Sequence, residues 1–560
     1  MKSKSQNKNF FLKNYKYKYS NISIYLFFLF FLIVGSLIYK SFGLSIDEPF
    51  HRTSGYFWFY ILAKKNFPLW DQLIDLKNSI EQMEWSEQFF RGQFNEYGPL
   101  FDLFSVGLEK MFGITSAKGA YELKHLLTFL TFFISGIYFF KIISERFKNE
   151  IFSLLIVFFY FTSPRIFADS FYNCKDIIFM SFCIISIFYF FKSFEKNSLK
   201  NLILFSLFAA FATQIRIMGI QLIFFYLLYF FWQSLEEKKF LKKNSICLIN
   251  TLFFYFLFLY IFWPFLWGNP IQNLIKTFLT FSNYEWGLKV FYLGEYINAD
   301  NLPWHYTIVW IFITSPLIYI FFFLIGFGKT FKLFFNNLTF ISESNENKLW
   351  ANNNQKKDFF IIFFLLTPIL SVVLLNSTLY GGWRHLYFVY PSIIYLIAVG
   401  VEFSYFKIKK KISNKVIIIF VSILVSYNFY TIIKLHPYQN IYFNSLVENK
   451  ANKYFEIDYW GLANREALEF IIKDKNNGDL VTIRTASFTP LNYSKKIINI
   501  DEETYKFGGT THANQDYIFT NYHYEKNPKY EKKYLIPKNY QKVFTIRRGN
   551  IIINEIYKKN

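Results

Sequence analysis

The chain has 560 residues, a net charge of +22, and a composition that is 53% hydrophobic and 23% aromatic. Its apolar residues fall in unbroken blocks such as YLFFLFFLIVGSLI and LLTFLTFFISGIYFF, too apolar for the surface helices of soluble domains. This excludes a soluble enzyme, a disordered chain and a disulfide scaffold, and it reads as a polytopic membrane protein. The lysines cluster beside apolar blocks, where they set topology and touch membrane lipid headgroups, so the basic balance does not point to nucleic acid. Cys174, Cys183 and Cys247 form neither a disulfide framework nor a CxxC pair.

A basic stretch at 1–20 precedes an apolar run too long for a signal peptide and without a small-residue cleavage site, so 21–40 reads as an uncleaved first span. About eleven spans are expected in all, the others at 121–143, 150–164, 176–192, 200–214, 216–232, 245–266, 304–327, 358–376, 385–403 and 413–432. The spans at 150–164 and 200–214 are short, and lysine placement argues for keeping both. Basic loops at 141–148, 192–200, 238–243, 329–357 and 407–415 share the side of the N-terminus only if both exist. The positive-inside rule then puts the N-terminus in the cytoplasm and the C-terminus outside an inner (cytoplasmic) membrane, on the periplasmic or extracellular face.

That topology leaves a long first outer loop at about 41–120, a tight one at 164–175, a third at 267–303, and a soluble tail over 434–560. The transmembrane domain is expected over 21–433. In the tail ANREALEFIIKD looks helical, while DLVTIRT, DYIFTNY, QKVFTIRR and NIIINEIY look like strands, the last two joined by Gly549-Asn550. The fold class is an α-helical polytopic membrane protein with a small C-terminal α/β domain.

Ionisable residues are nearly absent from the span interiors, which argues against a lipid or solute transporter. They gather instead at outer helix ends. Asp47 and Glu48 follow the first span almost at once, and a carboxylate fixed at an interface can serve as a general base towards a hydroxyl. An acid pair directly after the first span of a many-span chain resembles the GT-C glycosyltransferases, notably bacterial relatives of protein O-mannosyltransferases and of the lipid A aminoarabinose transferase. NEYGPLFDLF, SPRIFADSFYNCKD, IRIMG and GGWRHLYFVYP extend the resemblance in order, over about 20–435.

The resemblance implies a polyprenyl-phosphate sugar donor, an acceptor that is a glycan, lipid or protein hydroxyl, no cofactor, and Asp47 with Glu48 as the catalytic acids. Phosphate leaving at the membrane surface calls for cations at that depth, and Lys175, Arg216, Arg384 and His385 fall at outer helix ends, with Asp176 beside them. Asp102 and Asp169 are secondary carboxylates. Asp458 and Trp460, in FEIDYWG, are candidate acceptor contacts. His51 stands four residues after Asp47, a spacing compatible with a divalent metal, but no second histidine cluster supports one, and no metal site is assigned. The competing enzyme class is a polysaccharide polymerase or ligase using a diphosphate-linked oligosaccharide; such proteins usually carry their key arginines in a large late outer loop.

Overall fold

The computed structural model describes residues 20–560 except 68–72, 84, 93, 196–197, 238–239, 283, 285, 345–349, 351, 476–479, 499, 501–503 and 509–514. The basic N-terminal stretch and Lys196, Lys238, Lys239 and Lys348 therefore lie outside the described residues.

Among the described residues nine helices are long and apolar enough to cross a membrane: Asn21–Ser41, Ala117–Phe147, Asp176–Glu195, Ile217–Glu236, Asn244–Phe262, Leu317–Leu338, Asn353–Leu374, Arg384–Ile408 and Asn414–Leu435. A tenth is the pair Glu150–Phe161 and Pro164–Tyr172, bent by 67°. Pro164 explains the break: it lacks an N–H and is preorganised for the first position of a new helix. The short span expected at 200–214 is the 17-residue helix Leu199–Ile215. The span expected at 304–327 is interrupted after Ile313, ahead of Pro316, and resumes as Leu317–Ser344.

Within lipid, helices associate through close packing rather than exclusion of water. Here aromatic rings fill the space between them: Phe31 meets Phe161 at 4.8 Å, Phe132 meets Tyr160 at 4.9 Å, and Phe190 meets Tyr229 at 5.2 Å between centroids. Tyr25, Leu26 and Leu29 on the first helix, and Ile418 and Ile423 on the last, are exposed and form an apolar exterior.

Charges mark the two ends of the bundle. At one end Arg146 donates two 2.7 Å hydrogen bonds to Asp358, Lys192 lies 2.8 Å from Glu145, and Lys356 donates to Glu236 at 2.7 Å. These pairs bring the basic stretches at 141–148 and 192–200 to the same end as the start of helix Asn353–Leu374. The other end of the helix that bears Lys192 carries Asp176, which meets Arg384 at the start of Arg384–Ile408.

Beyond the last span the chain folds onto that second end. A hairpin of β1 (Lys289–Tyr292) and β2 (Glu295–Asn298) touches it through a bridge between Tyr292 and Phe455. The tail forms a five-stranded sheet of β3 (Val481–Thr485), β4 (Tyr505–Gly508), β5 (Tyr517–Thr520), β6 (Tyr540–Arg548) and β7 (Ile551–Lys559), in the order β4-β3-β5-β7-β6. β3 runs parallel to β4 and β5, and β7 runs antiparallel to β5 and β6. Helix Asn464–Asp474 lies against it, with Phe470 stacked on Phe544 at 4.2 Å. The four strands read from the sequence are present; β4 carries no signal beyond four residues and was not expected.

Candidate active site

The first span ends in a short 3-10 turn at Ser41, and extended backbone carries the chain to Asp47, just before helix Glu48–Asn66. This loop is stitched to the segment after the last span. Ile46 N–H donates to the Trp460 carbonyl at 3.0 Å, and a Cβ at Gly43 would run into the Leu462 carbonyl. Asp458 shapes the partner loop: its carboxylate accepts from the backbone N–H groups of Gly461, Leu462 and Ala463 and from Asn440. Burial raises its pKa to about 6 against those hydrogen bonds. Asp458 thus builds the loop, and the acceptor contact expected of it is not what its hydrogen bonds serve.

Asp47 is one-third exposed, and its Oδ2 accepts from Arg384 Nη1 at 2.7 Å. Burial would raise its pKa, but Arg384, then His51 and Lys175, outweigh that and hold the carboxyl below its ordinary range. Arg384 follows Gly381 and Gly382, whose φ values of +65° and +72° lie in the left-handed region that other residues rarely enter. The guanidinium lies 4.8 Å from each ring centroid of Tyr380, Tyr459 and Trp460, and Nη2 donates to the Tyr459 hydroxyl at 3.1 Å. An aromatic box of this kind offsets part of the cost of removing a cation from water.

Asp176 joins two cations. Its Oδ1 accepts from Arg216 Nε at 2.6 Å and from Nη2 as well, while its Oδ2 lies 3.6 Å from Arg384 Nη1. Asn173 fixes it through a 3.1 Å donation to Oδ2. Asp176 therefore holds the two arginines. Lys175 sits with its ammonium 3.6 Å above the centre of the Tyr97 ring. Burial, then the Arg216 charge, lowers its pKa to about 7. His385 packs edge-on against Tyr380 at 4.6 Å. Asp47, Lys175, Asp176, Arg216 and Arg384 thus form one cluster in which two arginines and Lys175 face two carboxylates.

The other candidates stand apart. Glu48 is fully buried and turned away from Asp47: Oε2 accepts from the Ser45 N–H at 2.7 Å, and Oε1 is 2.9 Å from His125 Nε2. It pins the loop, so of the acid pair only Asp47 bonds to Arg384. Asp102 lies one layer behind, 3.0 Å from His51 Nδ1 and accepting from Lys124 Nζ at 2.8 Å. Lys124, and to a lesser extent His51, hold its pKa at about 2 despite burial. His51, Asp102 and Cys174 bring ligand-type atoms within 4.8 Å of one another, but the Lys124 ammonium already occupies Asp102, which disfavours a cation there. Asp169 is buried in helix Pro164–Tyr172. Trp460 is buried on Tyr172 and Arg384, so its ring serves the cation.

A family model described as dolichyl-phosphate-mannose-protein mannosyltransferase matches residues 119–267. The resemblance to GT-C glycosyltransferases stands. Together with the helical bundle, the family match supports a membrane glycosyltransferase of mannosyltransferase-like kind. The matched stretch carries Lys124, Lys175, Asp176 and Arg216, while Asp47 and Arg384 reach the cluster from either side of it. No curated protein matches the chain.

Sequence reasoning missed Tyr97, Tyr380 and Tyr459 as seats for the cations, because aromatics are too common here to stand out. It also missed Lys124. A lone lysine in the first turns of an apolar span was the available signal, since such a charge needs a buried partner. Glu456 and His523 escaped as well: His523 Nε2 lies 3.6 Å from Glu456 Oε2 behind Tyr459.

Proposed function

We propose that the protein transfers a sugar from a polyprenyl-phosphate donor to an acceptor hydroxyl, with inversion, on the outer face of the cytoplasmic membrane. The observation that carries this reading is the ion pair between a partly exposed carboxylate, Asp47, and a boxed arginine, Arg384, inside a cluster that also holds Arg216 and Lys175. Such a donor carries one negative charge and leaves as a phosphate with two. Preorganised cations that meet the developing charge lower the barrier more than they tighten the ground state. Arg384, Arg216 and Lys175 supply them.

Asp47 takes the acceptor proton as the hydroxyl oxygen attacks the anomeric carbon. Bound to Arg384, Asp47 is a weak base. A donor phosphate drawing on the same guanidinium loosens that hold, so the carboxylate gains basicity when the donor is in place. The membrane depth of the cluster suits a lipid-linked donor whose chain stays in the bilayer. The test is transfer of radiolabel from polyprenyl-phosphate mannose to endogenous acceptors in membranes containing the wild-type protein or D47N. Label transfer by wild type and its loss in D47N support the reading. Equal transfer by both removes Asp47 as the base, and no transfer by either removes the donor class.

A further inference from the structure

Behind Asp47 lies a buried chain of three side chains that the reading above leaves unused. His51 is one helical turn after Asp47, its backbone N–H donating to the Asp47 carbonyl at 3.2 Å. Its ring Nδ1 meets Asp102 Oδ2 at 3.0 Å, and Asp102 Oδ1 accepts from Lys124 at 2.8 Å. All three side chains are buried. Helix Leu100–Met111 supplies Asp102, helix Ala117–Phe147 supplies Lys124, and the turn before Asp176 supplies Cys174, whose sulfur lies within 4.8 Å of the His51 and Asp102 ligand atoms; Asp47 and Glu48 are the other charged groups that act on these side chains. Burial raises the Cys174 thiol, which stays protonated and neutral.

This arrangement decides the tautomer. Asp102 is ionised and only accepts, so the nitrogen facing it carries the hydrogen. When the ring carries a single hydrogen, Nε2 is then the bare nitrogen, and no described residue is hydrogen-bonded to it. An imidazole whose near nitrogen is fixed by a carboxylate and which stands one helical turn from Asp47 is arranged to take a proton onward.

We propose that His51 relays the proton that Asp47 removes from the acceptor, with Asp102 and Lys124 as its positioning residues. This rests on Asp47 being the base. The acceptor O–H bond breaks as the oxygen forms its bond to the anomeric carbon and the carbon–phosphate oxygen bond breaks, its electron pair leaving with the phosphate. The proton goes first to the Asp47 carboxylate, then to His51 Nε2, then to water, and both groups return to their starting states. Asp102 stabilises the passing imidazolium.

The test uses the full-length protein in membranes with polyprenyl-phosphate mannose as probe, comparing wild type, D47N, H51N and D102N over pH 5–9. Asn at 51 keeps an N–H donor for Asp102 and has no proton acceptor to replace Nε2, so the fold is retained and only the relay is lost. The expected result is a kcat at least about 10-fold lower in H51N with donor KM unchanged, and loss of the acidic limb of the wild-type kcat profile. D102N should lower kcat with the limb still present but displaced. H51N with wild-type kcat and the same acidic limb overturns the relay while leaving Asp47 as base, provided D47N is inactive. An active D47N overturns both. If H51N fails to accumulate, H51Q and the D102N limb decide by the same criterion.

Discussion

Arg384 Nη1 donates to Asp47 Oδ2 at 2.7 Å across 337 positions of sequence. The pair joins the loop after the first span to the start of the penultimate one, and each partner limits what the other can do. The guanidinium holds the carboxyl below its ordinary range, and the carboxylate occupies the guanidinium.

Loss of Arg384 should therefore show first in the donor. Arg384→Ala is expected to raise the donor KM by roughly 10–100-fold, the equivalent of about 1.5–3 kcal/mol for a charge-assisted hydrogen bond. Arg384→Lys recovers part of this, because an ammonium keeps the charge but not the planar fork or the stacking in the aromatic box. Steady-state kinetics in detergent or nanodiscs checks the split, and a KM unchanged in both variants would reduce Arg384 to an anchor.

Asp47→Asn is expected to move kcat and donor affinity in opposite directions. Turnover should fall by roughly 10²–10⁴ with the general base gone. Donor binding should tighten, because the carboxylate no longer competes for the guanidinium. Equilibrium binding of a non-transferable donor analogue measures the second effect, and weaker binding in this variant would show that the pair does not act as a competition.

Glu48→Gln belongs to a different category. The buried carboxylate that ties Ser45 to His125 becomes neutral, so the variant should lose about 1–3 kcal/mol of stability with little change in kcat per folded molecule. A thermal-shift series alongside active-site titration separates these. A large kcat loss without a drop in Tm would return Glu48 to the catalytic pair.

Lys175 gives the donor interaction a pH dependence. Its pKa of about 7 means that it is charged below neutrality and neutral above. A phosphate binds the charged form, so affinity should be fully present at pH 6 and fall as pH rises through 7, with uptake of a proton on binding near that pH. Lys175→Met flattens the profile. A binding constant independent of pH from 6 to 8 in the wild type would rule this out.

Glu456 makes the opposite kind of statement, about stability. Burial raises it to about 8, partly opposed by Arg384 and Arg165. The native state therefore holds a proton that the unfolded chain has already released above its ordinary pKa. Between about pH 4.5 and 8 this group costs stability as pH rises, by up to about 1.4 kcal/mol per unit. Glu456→Gln should lose less Tm than wild type between pH 6 and 8, measured by scanning fluorimetry in one detergent.

The spans and the charge of their loops were legible because lipid enforces long apolar runs and lysines mark one face. The position of Asp47 was legible for the same reason, as an acid stranded where a span stops. Its separation from Glu48 was not, since adjacent residues at a helix start point in different directions and only tertiary packing selects which one is buried. Arg384 and Asp176 were found individually, but their sharing through Asp47 and Arg216 depends on contacts between residues far apart in sequence. The tyrosines that seat Arg384 and Lys175 were hidden by abundance: in a chain with 42 tyrosines and 77 phenylalanines, an aromatic carries little information until its neighbours are known.

The backbone stitch between Ile46 and Trp460 has a practical consequence for anyone cutting or tagging the chain. Arg384's aromatic box borrows Tyr459 and Trp460 from beyond the last span, and the loop bearing Asp47 leans on the Leu462 carbonyl. A fusion placed at the end of the last helix would still report which side of the membrane it faces, but on a protein whose Arg384 has lost the rings of Tyr459 and Trp460. A tag that follows Asn560 leaves Tyr459, Trp460 and Leu462 in place, so orientation and activity can be read in one molecule.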